Sequence, residues 1–184
     1  MALPSTIHHV RIGLSDVERG VYESLDLRIA RHPSESFRYL ALRTLAYCLN
    51  FEEGIQFSRG GLSSTEEPPL AVVDATGVLR SYIDVGSPSA ERLHKAAKSA
   101  ARVVLYTAAE LVLLRREANS RPVHRLAEIE VWQLSPSFLD QLEPHLTRNC
   151  SFDLLRNEGR LYVTFGAQTF ETPLVRESLV ETAD

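Results

Sequence analysis

Long apolar runs are missing from this chain. The nearest approach, Ala101 to Leu114, is interrupted by Arg102 and Glu110, far short of the ~20 apolar residues that cross a bilayer. No membrane span is therefore expected, and the opening Met-Ala-Leu-Pro-Ser-Thr lacks the charged and apolar regions of a secretory signal. Cysteine is scarce: Cys48 and Cys150 share no motif spacing, which excludes a disulfide-built scaffold and reads as two ordinary thiols of a cytoplasmic protein. Glycine and proline number 9 each, too few for a collagen-like or linker-dominated chain. An excess of positive charge is lacking too, since 20 Lys and Arg face 24 Asp and Glu for a net charge of −4. That balance argues against broad electrostatic capture of nucleic acid but leaves room for a local basic patch. There is no internal repeat, no phosphate-binding glycine loop, no zinc-ligand spacing and no nucleophile elbow.

What remains is an ordinary globular composition, with 44% hydrophobic and 24% charged residues over 184 positions. One domain spanning 1–184 is expected, large enough to bury roughly 70% of its unfolded surface. Residues 6–14 and 21–29 alternate and predict two strands paired as a hairpin across the polar turn Asp16 to Gly20. Pro33 pushes His32 out of the helical region and Ser34 is a candidate cap. Phe37, Leu40, Ala41, Leu45, Cys48 and Leu49 then follow the spacing of an amphipathic helix. Ile55 to Ser58 is a short strand, and Leu70 to Val85 a hairpin turning at Ala75-Thr76-Gly77. Ser87-Pro88 predicts the start of a helix that runs to about Ala101. Arg102 to Thr107 is a buried strand, 109–118 a helix and 127–134 a strand. Ser135-Pro136 caps another helix, and 151–165 is a hairpin with Gly159 in its turn, with a further strand around Phe170 to Val175. The economical arrangement is one mixed α/β sheet with helices on both faces.

Chemistry concentrates around the 70–85 hairpin. With its turn at 75–77, Asp74 faces Val78 and Pro68 faces Asp84, so Glu67 sits beside Asp84 at the open end. Carboxylates gathered at a strand end can hold Mg²⁺ or Mn²⁺, which take hard oxygen ligands. Glu67 and Asp84 are the candidate ligands, with Glu66 as a further one. Glu66 and Glu67 have a bland alternative as solvated loop charges. Asp84, between Ile83 and Val85 in a strand expected to be central, is harder to explain that way. Glu91, Lys95 and Lys98 share one stripe of the following helix. They form an ordinary surface ion pair, or else Lys95 reaches back to the acids. Glu35 opens the first long helix, where a negative charge suits the helix dipole.

These segments resemble the YaeQ family of bacterial proteins. The resemblance is clearest over Ala30-Arg31-His32-Pro33-Ser34-Glu35, Arg59 to Leu70, and Ile83-Asp84-Val85-Gly86-Ser87-Pro88 with Lys95-Ala96. It implies a fold related to the restriction-endonuclease-like PD-(D/E)XK nucleases, in which acids on a hairpin and a nearby lysine bind a divalent ion and cut phosphodiesters. Carried over residue by residue, Glu35 matches the first-helix glutamate and Glu67 the acid before proline. Asp84 takes the place of a glutamate. Gly86 stands where the superfamily motif has lysine, so Lys95 would act from the helix, and Pro69 stands where some relatives carry aspartate. The implied function is a Mg²⁺- or Mn²⁺-dependent phosphodiesterase in which Glu35, Glu67, Asp84 and Lys95 are catalytic. The alternative is a nuclease-like domain without activity that binds nucleic acid or a protein partner.

Overall fold

The computed structural model describes residues 4–58 and 67–180. Its first two strands, β1 (Thr6–Asp16) and β2 (Val21–Arg31), pair antiparallel from Thr6↔Arg31 to Asp16↔Val21. Their alternation sends Val10, Ile12 and Leu14, with Leu25, Leu27 and Ile29, to one buried face. Three later strands extend this sheet: β8 (Asn149–Asn157), parallel to β1, then β9 (Arg160–Phe165) and β10 (Gln168–Pro173). The β8–β9 turn needs two left-handed residues, Glu158 at φ 50° and Gly159 at φ 70°, and glycine takes the second at no steric cost.

A second sheet of six strands carries β3 (Ile55–Phe57), β4 (Leu70–Val73), β5 (Leu79–Val85), β6 (Arg102–Thr107), β7 (Glu130–Gln133) and β11 (Val175–Glu177). The expected 70–85 hairpin is there. Asp74 fixes its turn by accepting hydrogen bonds from the backbone N–H groups of Thr76 (2.9 Å) and Val78 (3.0 Å). Its register departs from the expected one. A bulge between Val72 and Val73 sets Leu70 opposite Ile83, one residue further along than a regular ladder from the turn would give.

The expectation of one mixed sheet is corrected, because the strands divide into a five-stranded and a six-stranded sheet. The reason lies in α1 (Phe37–Leu49). Beyond the expected stripe, Leu42, Arg43, Thr44 and Ala46 are buried as well, so the helix needs cover on more than one side. Residues of α1 share one core with the inner faces of both sheets and with α4 (Pro136–Leu142). The far face of the six-stranded sheet is covered by α2 (Ala90–Ser99) and α3 (Leu111–Ala118), through Leu93, Ala96, Ala97 and Leu114.

Two helix starts differ from expectation. Ser36, not Ser34, caps α1, its side chain accepting from Tyr39 N–H at 3.1 Å, while Ser34 pairs with His32 Nδ1 at 2.6 Å. Ser89, not Ser87, caps α2, and Glu117 Oε1 accepts a second orphan donor, Ala90 N–H, at 3.1 Å. The expected 127–134 strand begins later, at Glu130, after a 3₁₀ turn over Leu126–Glu128. Ser135-Pro136 starts α4 as anticipated. Cys48 and Cys150 are free thiols. Among the described residues, no helix is long and apolar enough to cross a membrane.

Candidate functional site at the end of strand β5

Asp84 lies on β5 between β4 and β6, and is 2% exposed. It shares the α2-facing side of the strand with Tyr82, whereas Ile83 and Val85 face α1. An arginine from the first turn of α2 meets its carboxylate. Arg92 Nε lies 2.6 Å from Oδ2 and Nη2 3.3 Å from Oδ1, and Nη2 also donates to the backbone carbonyl of Glu67 at 3.1 Å. Arg92 therefore ties the segment entering β4 to the end of β5. Burial opposes its positive charge, but the hydrogen bond to Asp84 and that carboxylate's charge outweigh this and raise its pKa. The exposed Glu67 side chain accepts from the Ser58 hydroxyl at 2.8 Å. Glu66 lies outside the described residues.

Glu35 is held on the α1 side of the sheet. It closes the 31–36 turn by accepting His32 N–H (3.2 Å) and donating its own N–H to the His32 carbonyl (2.9 Å). Its carboxylate then meets Arg43 from α1. Nη2 is 3.1 Å from Oε2 in a hydrogen bond, and 2.9 Å from Oε1 at an angle that makes none. The Arg43 and Glu35 side chains are only 5% and 2% exposed. Burial pushes the Glu35 pKa up, and the charge of Arg43 pulls against it. Arg43 also donates to the Ala30 carbonyl at 2.8 Å. Tyr39, one helical turn before Arg43, is near both ion pairs. Burial pushes its phenol up to about 12, and the charges of Asp84, Arg43, Glu35 and Arg92 all act on it.

Lys95 stands on the outer side of α2. Its side chain is 59% exposed and its ammonium pairs with Glu91 at 3.4 Å, the ordinary i, i+4 arrangement that the stripe allowed. The structure thus brings Asp84 and the Glu67 backbone together through Arg92. Glu35 pairs with Arg43, and Lys95 with Glu91.

The site residues that sequence reasoning missed are Arg92, Arg43 and Tyr39. Arg92 carried one signal: a cation in a helix's first turn opposes the dipole, so it needs another reason to be there. Arg43 carried another, a lone charge in the middle of a helix otherwise short of polar residues.

The donor set does not fit a divalent ion as it stands. Among the described residues, no three His, Cys, Asp or Glu side chains gather as metal ligands. Asp84 and Glu35 each already face a guanidinium.

The chain matches the family model described as YaeQ protein over residues 1–174. The uncharacterized YaeQ protein of Escherichia coli (strain K12) is 27% identical over 175 residues, covering 95% of this chain and 96% of that relative. That of Salmonella typhi is 28% identical over 178 residues, covering 95% and 96%. The crystal structure of YaeQ protein from Xanthomonas axonopodis pv. citri superimposes with a TM-score of 0.85 at 26% identity, over 95% of this chain and 98% of that one. YaeQ protein from Pseudomonas syringae does so with a TM-score of 0.86 at 29% identity, over 95% and 97%. By sequence and by its two-sheet α/β fold, this chain belongs to the YaeQ family.

Proposed function

We propose that this chain is a cytoplasmic, nuclease-like domain, related to the PD-(D/E)XK fold, that binds nucleic acid without cutting it. The carrying observation is the Arg92–Asp84 pair: the acid best placed for metal chemistry is already bonded by a guanidinium at 2.6 and 3.3 Å. Support also comes from the lysines. The chain has only two, Lys95 and Lys98, and both lie on α2, so β5 lacks the strand lysine of the superfamily motif. Pro69 removes a further acid from the start of β4.

A basic edge supplies the affinity for phosphate. Arg28 stands opposite His9 across the β1–β2 pair, and His9 N–H donates to the Arg148 carbonyl at 2.7 Å. Burial is the main cause that lowers the pKa of His8, and the charges of Arg31, Arg148 and Arg43 add to it. Arg31, Arg148 and Arg43 therefore lie around His8, Arg28 stands beside His9 on the opposite face of the β1–β2 pair, and Arg28 and Arg148 are exposed. Exposed arginines on the two faces of this edge attract phosphates locally despite the net charge of −4.

Metal-dependent cleavage by Glu67, Asp84 and Lys95 with Mg²⁺ or Mn²⁺ is the competing reading. It is favoured by one observation, that Arg92 bonds both Asp84 and Glu67 at the same corner. The test is fluorescence anisotropy with labelled single- and double-stranded DNA and RNA, followed by sizing of the oligonucleotides after incubation with each metal. Salt-dependent binding with intact oligonucleotides is expected, weakened in Arg28→Ala/Arg148→Ala. Absence of binding to all four overturns the proposal and leaves a protein partner. Cleavage that is lost in Asp84→Asn establishes the metal-dependent enzyme instead.

A further inference from the structure

We infer that the outer edge of β2 is an interaction surface for a second copy of this chain, the two β2 strands pairing antiparallel about Leu27. The inference goes beyond the nucleic-acid reading and does not rest on it.

Each sheet has two edge strands, β10 and β2 in one, β11 and β3 in the other. β11 and β3 have three residues each, and β10 has six and ends on Pro173. Short edges and edge prolines keep unpaired N–H and C=O groups from recruiting another strand. β2 has neither device. It runs 11 residues without proline, and its ladder to β1 is regular from end to end. Among the described residues no strand lies along its far side, and Arg43 takes the carbonyl of Ala30 near its end.

Charges along an edge ordinarily discourage pairing. Asp26 and Arg28, both exposed on the outer face of β2, instead select one alignment. A parallel pairing in register would set each against its own copy. A twofold antiparallel pairing that keeps Leu25, Leu27 and Ile29 on the core side must centre on a residue, because a one-residue slip turns them to solvent. Centred on Asp26 or Arg28, that residue faces its own copy. Centred on Leu25 or Ile29, Leu27 faces Glu23 or Arg31 of the second copy. Centred on Leu27, Asp26 faces Arg28 twice over and Glu23 faces Arg31 twice over. Leu25 then faces Ile29, Leu27 its own copy, and Ser24 the small Ala30. Cross-strand pairs of unlike charge and of packed side chains stabilise a sheet, and like charges directly opposite destabilise it. Of the alignments centred on residues 25–29, this alone joins unlike charges and keeps aliphatic residues together. The contact is isologous, and it merges two five-stranded sheets into one of ten strands.

The experiment is sedimentation velocity of the full chain, without nucleic acid, from about 10⁻⁶ to 10⁻³ M, the weak range that suits an interface below the standard size. Wild type is expected to pass from monomer to dimer across it. Asp26→Arg and Arg28→Asp are each expected to raise the dissociation constant at least about tenfold, because both central unlike pairs become like pairs. An equimolar mixture of the two variants is expected to recover the dimer, and so is the double variant Asp26→Arg/Arg28→Asp, since both restore unlike charges. Asp26 stands opposite Arg11 on β1 and Arg28 opposite His9, so circular dichroism checks each fold, and Arg28→Asp serves where Asp26→Arg does not fold. Amide hydrogen exchange of wild type needs no variant: alternate amides of residues 24–30 should slow as the concentration rises. Arg28 also serves the phosphate edge proposed above, where an oligonucleotide competes for it. Because the series holds no nucleic acid, its failure leaves the binding reading standing, and failed oligonucleotide binding leaves the dimer standing. A wild type that stays monomeric overturns the inference. So does a dimer indifferent to both reversals, a mixture of folded variants that stays monomeric, or exchange in 24–30 that does not change with concentration.

Discussion

Replacing Arg43 by methionine tests how the core tolerates Glu35. Methionine keeps much of the aliphatic volume inside the helix layer and deletes the charge. The Glu35 carboxylate, 2% exposed, then loses its partner on α1, and the Ala30 carbonyl loses a donor held at 2.8 Å. Breaking a buried ion pair from one side costs roughly 3–5 kcal/mol. That is a large share of a typical stability of about 5–15 kcal/mol. The sign with pH follows from burial. Burial already raises the Glu35 pKa above its ordinary 4.5, and Arg43 is the largest influence holding it down, so the variant's pKa is higher still. A carboxyl with a raised folded pKa contributes stability that is complete below its unfolded pKa and lost as pH rises through the folded one. The deficit of Arg43→Met against wild type should therefore be smallest near about pH 4, where Glu35 takes up its proton in both. It should widen by up to about 1.4 kcal/mol per pH unit between the two folded values. Urea unfolding followed by circular dichroism across about pH 4 to 7.5 measures it, starting below the ordinary carboxyl range and rising through it. The double variant Glu35→Gln/Arg43→Met should recover most of the loss at neutral pH, because no unpaired charge is left beside α1 at this point. A deficit independent of pH, or no recovery in the double variant, would refute this reading of the Glu35 environment.

Three further outcomes are expected. Asp84→Asn should lower stability by roughly 1–3 kcal/mol in urea unfolding, because Arg92 loses its charged acceptor; an unchanged midpoint would show that the pair contributes nothing. Ser36→Ala should cost about 1 kcal/mol through loss of the α1 cap and Ser34→Ala clearly less, a comparison that thermal melts of the two variants decide. Cys48 is fully buried with its thiol pushed up to about 12, so Ellman's reagent should leave it unmodified in the folded protein and react with it only on unfolding.

Much of the fold was legible because local patterns and tertiary demands agree. Alternation in 21–29, the turn at Asp74 and the Ser135-Pro136 helix start all lie where residue chemistry places them. The division into two sheets was not legible. It depends on α1 being covered from more than one side, and the spacing of Phe37, Leu40, Ala41 and Leu45 reports one stripe without saying what covers Leu42 and Ala46. The hairpin register failed for a similar reason, since the bulge between Val72 and Val73 leaves no mark in a run of small and β-branched residues. At the site, Asp84 stood out because an acid in a central strand demands a partner. The polar stripe of α2 left Lys95 either an ordinary pair with Glu91 or a reach back to the acids; it pairs with Glu91, and Arg92 meets Asp84. A helix stripe sorts side chains by exposure and does not say which one turns toward the sheet.

Binding without cutting stands or falls on one time course. End-labelled single-stranded DNA is incubated with wild type and with Asp84→Asn in Mn²⁺, with anisotropy confirming that the oligonucleotide is bound throughout. The expected result is bound, full-length oligonucleotide in both samples. Shortening of the oligonucleotide by wild type, absent with a folded Asp84→Asn, would overturn the proposal and make Asp84 a metal ligand of an active enzyme.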